Sequence, residues 1–354
     1  MSAFQRLGRA ALLRGLQWTY AAPLVPAPSI DPGTIRKLLV VRTDTRVGNV
    51  LLTTPLVRAL RRGLPGARVD FLVADGKQGL VQGLADRIIP FQKQDFFRAP
   101  WRFWSLMSLL RKERYDVAIE AGHWHAFSFT SGWVTAYTRA AVRVGHSRGP
   151  AERFLTHALD KDQSVQREVP SKLELLRPLG VAADGEQLDT TVDAAPEVGR
   201  EADALAAKLS GGRPLVSINP GARKVAHRWP AEAYGALARE LSEEGAAPMV
   251  LWGPGEKAIA DAVVKASGGA AGLAPPTRLP LLAGLFRRSR LVVTNDTGPM
   301  HLAAATGTPV VAVLLAEDGA RWSHGGRFRG VAVRGGGADE VARVLKAARA
   351  LLQG

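Results

Sequence analysis

The apolar positions fall in short β-branched runs, each closed by a turn rich in Gly, Asn, Asp or Pro and followed by a stretch with helical spacing. In the first half, Lys37 to Val41, Arg68 to Val73, Ile88 to Phe91, Tyr115 to Glu120 and Arg143 to Gly145 read as strands. Helices are expected over Val50 to Arg62, Gln78 to Ala85, Trp101 to Arg111 and Lys172 to Leu179. A second set follows, with strands at Pro214 to Ile218, Pro248 to Trp252, Leu291 to Thr294, Val310 to Leu315 and Val331 to Val333. Its helices are expected over Pro196 to Leu209, Tyr234 to Glu244, Leu279 to Leu285, Pro299 to Thr306 and Ala338 to Leu352.

Two sets of alternating strands and helices predict an α/β protein of two doubly wound, Rossmann-like domains facing across a cleft. The boundaries follow from composition. Residues 1–35 form a basic, amphipathic N-terminal segment, residues 36–181 a first domain, the small and acidic stretch 182–196 a linker, and residues 197–354 a second domain with a closing helix. If the first 26 residues are helical, Phe4, Leu7, Ala11 and Trp18 share a side opposite Arg6 and Arg9. A membrane-surface anchor and a helix packed on the body both fit that pattern.

Charge changes the picture more than composition does. Residues 1–180 hold 27 Lys and Arg against 14 Asp and Glu, a surplus of +13, whereas residues 181–354 hold 20 against 18. Such a field attracts anionic partners. No zinc-ligand spacing, aromatic RNA-binding motif or basic tail accompanies it, so nucleic acid is not an expected partner. The chain has no cysteine, which excludes disulfides, thiolate metal sites and a Cys nucleophile. No run of eighteen apolar residues is present, so no transmembrane helix is expected.

Candidate chemistry sits in the turns at strand ends, where open α/β sheets bind ligands. Asn295-Asp296-Thr297-Gly298 stops a strand and precedes a short helix, with His301 one turn in. Two readings fit this turn: a capped βα connection, or an anion site at a positive helix end. Asn219 to Ala222 is a second such turn, followed by Arg223, Lys224, His227 and Arg228. In Gly253-Pro254-Gly255-Glu256 the dinucleotide fingerprint is matched only on paper, because no acidic residue follows about twenty positions later. The first strand leads into Arg42, Asp44, Arg46 and Gly48, and the fourth into His123 and His125.

The stretches KLLVVRTDTRVGNVLLTTPLVRALRR, VSINPGARKVAHRWPAEAYGALA, LWGPGE and VVTNDTGPMHLAAATGTPVVAVL resemble, in order, those of glycosyltransferase family nine, the ADP-heptose:lipopolysaccharide heptosyltransferases. The resemblance spans roughly residues 36–335 and implies a GT-B fold, with the acceptor on the N-terminal domain and the nucleotide sugar mainly on the C-terminal one. It implies inverting transfer of a heptose-like sugar from a nucleoside diphosphate, ADP-heptose, to a lipid-linked phosphorylated glycan. The expected setting is cytoplasmic, peripheral on an anionic membrane surface at the inner face of a bacterial inner membrane, with no cofactor or metal. By similarity, Gly48, Asp296, Thr297, Gly298 and His301 meet the donor's diphosphate and sugar, Glu256 its ribose, and Arg223, Lys224 or His227 its phosphates.

Two departures stand out. Where the family usually reads Ile-Gly-Asp, with that Asp as the proposed general base, this chain has Val47-Gly48-Asn49, and an amide cannot accept the proton. Replacement bases are Asp44, Glu120, His123 and His125; a more acidic or differently placed acceptor would need no base at 49, and the third alternative is a catalytically silent nucleotide-sugar- or glycan-binding protein of the same fold. Where the family commonly has Lys two residues before Trp-Pro, this chain has His227.

Overall fold

The computed structural model describes residues 30–162, 167–315 and 319–353. The amphipathic N-terminal helix expected over the first 26 residues lies outside them. The chain divides into two compact units. The first runs to Thr45 and resumes from Thr53 to Gly185; the second takes Glu186 onward together with the segment Arg46–Leu52.

The first unit is built on β1 (Lys37–Arg42), β2 (Arg68–Ala74), β3 (Arg87–Phe91), β4 (Val117–Glu120), β5 (Val142–His146) and β6 (His157–Leu159). They form a six-stranded sheet in the order β3-β2-β1-β4-β5-β6, with every pair parallel. The second unit has β7 (Leu215–Asn219), β8 (Ala247–Val250), β9 (Gly272–Leu273), β10 (Leu291–Asn295), β11 (Val310–Leu314) and β12 (Phe328–Ala332), ordered β12-β11-β10-β7-β8-β9 and again parallel throughout. Helices cover both faces of such sheets, which is why the central strands are continuous apolar runs. Leu38 to Val41 and Leu291 to Val293 are fully buried. Each such side chain contributes roughly 1.5–3 kcal/mol of burial.

Where helices differ from the sequence expectation, proline and glycine explain most of it. The helix expected over Val50 to Arg62 is two: Val47–Leu51 and Thr54–Gly63. Pro55 has no N–H for the Leu51 carbonyl, and its ring crowds that carbonyl. The first of the two helices, with Gly48 and Asn49, groups with the second unit. The expected helix Gln78 to Ala85 is only a 3-10 turn, Gln78–Leu80, set between Gly76 and Gly83 in left-handed conformations. The helix expected over Lys172 to Leu179 lies earlier, at Glu168–Leu173, and tightens into a 3-10 segment containing Pro178.

The helix Phe129–Tyr137 was not legible, since its aromatic and β-branched residues and Gly132 carry little helical propensity. Packing makes it: Trp133 stacks on Phe103 at 5.9 Å, and the Ser128 hydroxyl accepts a hydrogen bond from Ser131 N.

Candidate functional site

In the second sheet the chain runs from β7 outward through β8 and β9, then returns to β10 on the other side of β7. The carboxyl ends of β7 and β10 therefore flank the switch point at which open α/β sheets bind ligands. An open cavity of about 510 Å³ lies there. Gly48, Asn49, Arg223, Lys224, His227, Glu256, Asp296, Thr297, Gly298 and His301 all line it, together with Arg46 and Trp322.

Asn295 ties the turns of this cavity together. Its Oδ1 accepts from Trp229 N at 3.2 Å and from the Tyr234 hydroxyl at 2.9 Å, while Nδ2 donates to the Pro220 carbonyl at 2.7 Å. With the side chain fully buried, these bonds fix the Pro220 turn against the Asp296 turn. Gly221 is required by close approach: a Cβ there would stand 2.1 Å from Glu256 Oε2, which accepts a hydrogen bond from Gly253 N at 3.1 Å. Gly48 is required for the same reason, because a Cβ would come within 2.3 Å of the His301 ring.

The helix after β10 starts at Gly298, one residue earlier than the sequence suggested, and Thr297 at its N-cap makes no side-chain capping bond. Its first N–H groups and positive dipole end thus face the cavity beside Arg223 and Lys224, which are exposed. Such a set suits a diphosphate, and the carboxylates of Glu256 and Asp296 suit sugar hydroxyls. His301 is buried and shares a 2.9 Å hydrogen bond between its Nδ1 and His324 Nε2.

Four other candidate residues belong to the first unit, and one of them, Glu120 at the end of β4, is buried and ion-paired with Arg148. Asp44 is half-buried in the loop after β1, with its charge acting on Arg42. His123 and His125 lie beyond β4, at the switch point between β1 and β4. Buried Arg42 donates to the Ala121 carbonyl at 2.8 Å and bonds His123 Nε2 at 2.7 Å. A guanidinium only donates, so Nε2 accepts, the ring proton sits on Nδ1, and Nδ1 donates to Glu168 Oε1 at 2.6 Å. The same Oε1 accepts from Lys172 Nζ at 2.9 Å. His125 stacks on His123 at 5.1 Å, with its Nδ1 3.9 Å from Glu168 Oε2.

Ligand atoms of His123, His125 and Glu168 lie within 4.8 Å of one another. Their surroundings do not suit a dication, because Glu168 already serves Lys172 and His123, and the Arg42 charge is adjacent.

Burial pushes His123 down to about 4, with Arg42 and Lys172 reinforcing it against the Glu168 hydrogen bond. It pushes His146 to about 4 as well, and Lys172 to about 8 against the attraction of Glu168. Burial alone would raise Glu168, but Lys172 and His123 outweigh it and hold the carboxyl low. The ordinary value for the two histidines is 6.5, so below that pH the unfolded chain takes up protons that the folded chain refuses. Their stabilisation is complete above pH 6.5 and is lost as the pH falls toward 4. By pH 5 the loss is roughly 2 kcal/mol for each histidine. Urea unfolding midpoints at pH 7 and pH 5 check this; an unchanged midpoint contradicts it.

Sequence reasoning missed Glu168, Lys172, Arg148, Trp322 and His324. Glu168 and Lys172 stand four residues apart in a helix, a pairing visible in the sequence. Arg148, which ion-pairs with Glu120, and His324 carry no local signal.

The family model for glycosyltransferase family 9 (heptosyltransferase) matches residues 103–325. Lipopolysaccharide heptosyltransferase 2 of Salmonella typhimurium is 37% identical over 307 residues, covering 78% of this chain and 82% of that one. Lipopolysaccharide heptosyltransferase 3 of Escherichia coli K12 is 27% identical over 293 residues, covering 78% and 81%. Among solved structures, a family 9 glycosyl transferase from Veillonella parvula superposes with a TM-score of 0.73 at 20% identity, covering 92% of this chain and 99% of that one. The E. coli heptosyltransferase WaaC, solved with ADP, gives 0.69 at 21%, covering 89% and 99%. The fold is GT-B, as in these neighbours, and the chain belongs to glycosyltransferase family 9, the heptosyltransferases.

Proposed function

We propose that this chain is an inverting glycosyltransferase that moves a heptose-type sugar from ADP-heptose to a lipid-linked, phosphorylated glycan of the lipopolysaccharide type. The observation that carries this reading is the cavity at the β7/β10 switch point, where cations, a helix N-terminus and two carboxylates converge. Relatives named as lipopolysaccharide heptosyltransferases support the sugar and acceptor class. In this reading the second unit holds the donor and the first the acceptor. Arg223, Lys224, His227 and the Gly298 helix end meet the diphosphate, Asp296, Thr297 and His301 the sugar, and Glu256 the ribose.

An acceptor hydroxyl attacks the anomeric carbon as the bond to the diphosphate oxygen breaks, with inversion. Charge grows on the departing ADP, and preorganised donors aimed at it lower the barrier. The hydroxyl proton goes to a base other than the amide of Asn49. Of the candidates Asp44, Glu120, His123 and His125, Glu120 is ion-paired with Arg148 and the Nε2 lone pair of His123 is taken by Arg42, which favours Asp44 and the less enclosed His125. The enzyme works peripherally at an anionic membrane face, at the inner side of a bacterial inner membrane. Among the described residues no helix is long and apolar enough to cross a membrane.

A second reading, a silent nucleotide-sugar- or glycan-binding protein, is favoured by one observation: buried Asn49 lines the same cavity. Product analysis with ADP-heptose and a lipopolysaccharide-core acceptor separates the two. Transfer by the wild-type chain, little changed in Asn49→Asp, supports the enzyme; transfer that appears only in Asn49→Asp, by a factor on the order of 10²–10⁴, supports the silent reading.

A further inference from the structure

Helix Pro100–Lys112 turns Phe103, Met107 and Leu110 into the core of the first unit. Its other side is exposed among the described residues. Trp101 is 69% and Trp104 47% exposed, and in the preceding short helix Asp95–Arg98 the values are 45% for Phe96 and 85% for Phe97. Of the five exposed large apolar side chains among the described residues, four thus fall within nine positions; Val225 is the fifth. This is a patch, whereas scattered apolar residues would need no explanation.

The patch is held rigidly. Phe96 meets Phe97 edge-on at 4.8 Å and Phe103 at 5.2 Å, and Trp104 meets Phe103 at 5.4 Å, so the ridge is anchored on a core residue. Cations flank it along the chain: Lys93, Arg98 and Arg102 are exposed and take part in no ion pair among the described residues, with Asp95 the one carboxylate between them. Residues 93–104 thus hold three cations against one carboxylate, a local surplus of positive charge.

We propose that this aromatic ridge is the surface by which the chain docks on an anionic phospholipid bilayer, with Phe97 and Trp101 entering the interface and Arg98 and Arg102 meeting headgroup phosphates. Amphipathic aromatic rings settle at the level of lipid headgroups, and unpaired Arg and Lys beside them are drawn to anionic lipid. A protein partner would have to match both the apolar ridge and the cations set into it, whereas an anionic bilayer does so without specific contacts. The inference deepens the peripheral-membrane part of the function proposed above, and it stands independently of sugar transfer.

Flotation of the full chain tests it, using acceptor-free vesicles of phosphatidylethanolamine with phosphatidylglycerol and, in parallel, of phosphatidylcholine alone. The wild type is expected to float with the anionic vesicles, to detach as salt rises, and to stay behind with phosphatidylcholine. The pair Phe97→Ser with Trp101→Ser, and separately Arg98→Gln with Arg102→Gln, should each weaken partitioning by roughly tenfold or more. Circular dichroism melting of each variant establishes that it is folded.

Variants that float as well as the wild type overturn the proposal, as does a wild type that does not float. So does a wild-type dimer that the Phe97→Ser, Trp101→Ser pair dissolves, since the ridge then covers a second copy. ADP titration of the same samples keeps the two readings apart: a chain that floats but binds no ADP retains the docking surface and loses the transferase.

Discussion

Gly221→Val is expected to weaken ADP binding by about a hundredfold or more while leaving the protein folded. Glycine here has no unusual backbone angle, so the effect is one of space. A Cβ at this position falls 2.1 Å from Glu256 Oε2 and 2.4 Å from its Cδ, and the valine methyls extend further into the cavity that Gly221 lines. The Glu256 carboxylate has to leave, giving up its bond from Gly253 N and whatever ligand hydroxyl it accepts from. Losing one charged hydrogen bond costs about 1.5–3 kcal/mol, and the filled volume adds to that. About 2.7 kcal/mol is a hundredfold in affinity. Stability should change little, because the atom displaced is the end of a flexible side chain.

Asn295→Leu is expected to do the opposite, destabilising the fold first and binding as a consequence. The leucine leaves Trp229 N, the Tyr234 hydroxyl and the Pro220 carbonyl without their partner in a fully buried site. An unsatisfied buried polar group costs about 1–3 kcal/mol. Some relaxation by the neighbours leaves an expected loss of about 3–5 kcal/mol, at the upper end for a single substitution. Tyr234→Phe, which removes one of the three bonds, should cost about 1 kcal/mol. Urea unfolding of the two variants beside the wild type measures this; equal midpoints for Asn295→Leu and Tyr234→Phe contradict the role given to Asn295.

The donor-side turns were legible in the sequence because each belongs to one local strand–turn–helix unit. Asn219 to Lys224 and Asp296 to His301 could be placed at strand ends from periodicity and turn residues alone, and the parallel pairing of β7 with β10 brings those ends together. Asn295 was read as a residue that stops a strand. Its bonds to Pro220, Trp229 and Tyr234 join segments 61 to 75 residues away, and nothing local announces them. The same holds for the cluster at the end of the first sheet. Arg42, His123 and Glu168 come from three separate elements, so His123 was visible as a strand-end histidine while the groups that fix its proton were not.

Position 49 shows the other limit. Its departure from the family pattern was plain, but its place in the lining of the donor-side cavity rests on contacts of Arg46–Leu52 with the second unit, which nothing local announces. A continuous helix had been expected there, and Pro55 was the signal that argued against it.

The central claim is that the cavity at the β7/β10 switch point holds the nucleoside diphosphate of the donor. Calorimetric titration of ADP into the wild-type chain and into Gly221→Val, side by side, tests it most directly. The account predicts saturable binding of one ADP per wild-type chain and its loss in the folded variant; equal affinity in the two, or no binding to the wild type, would contradict it.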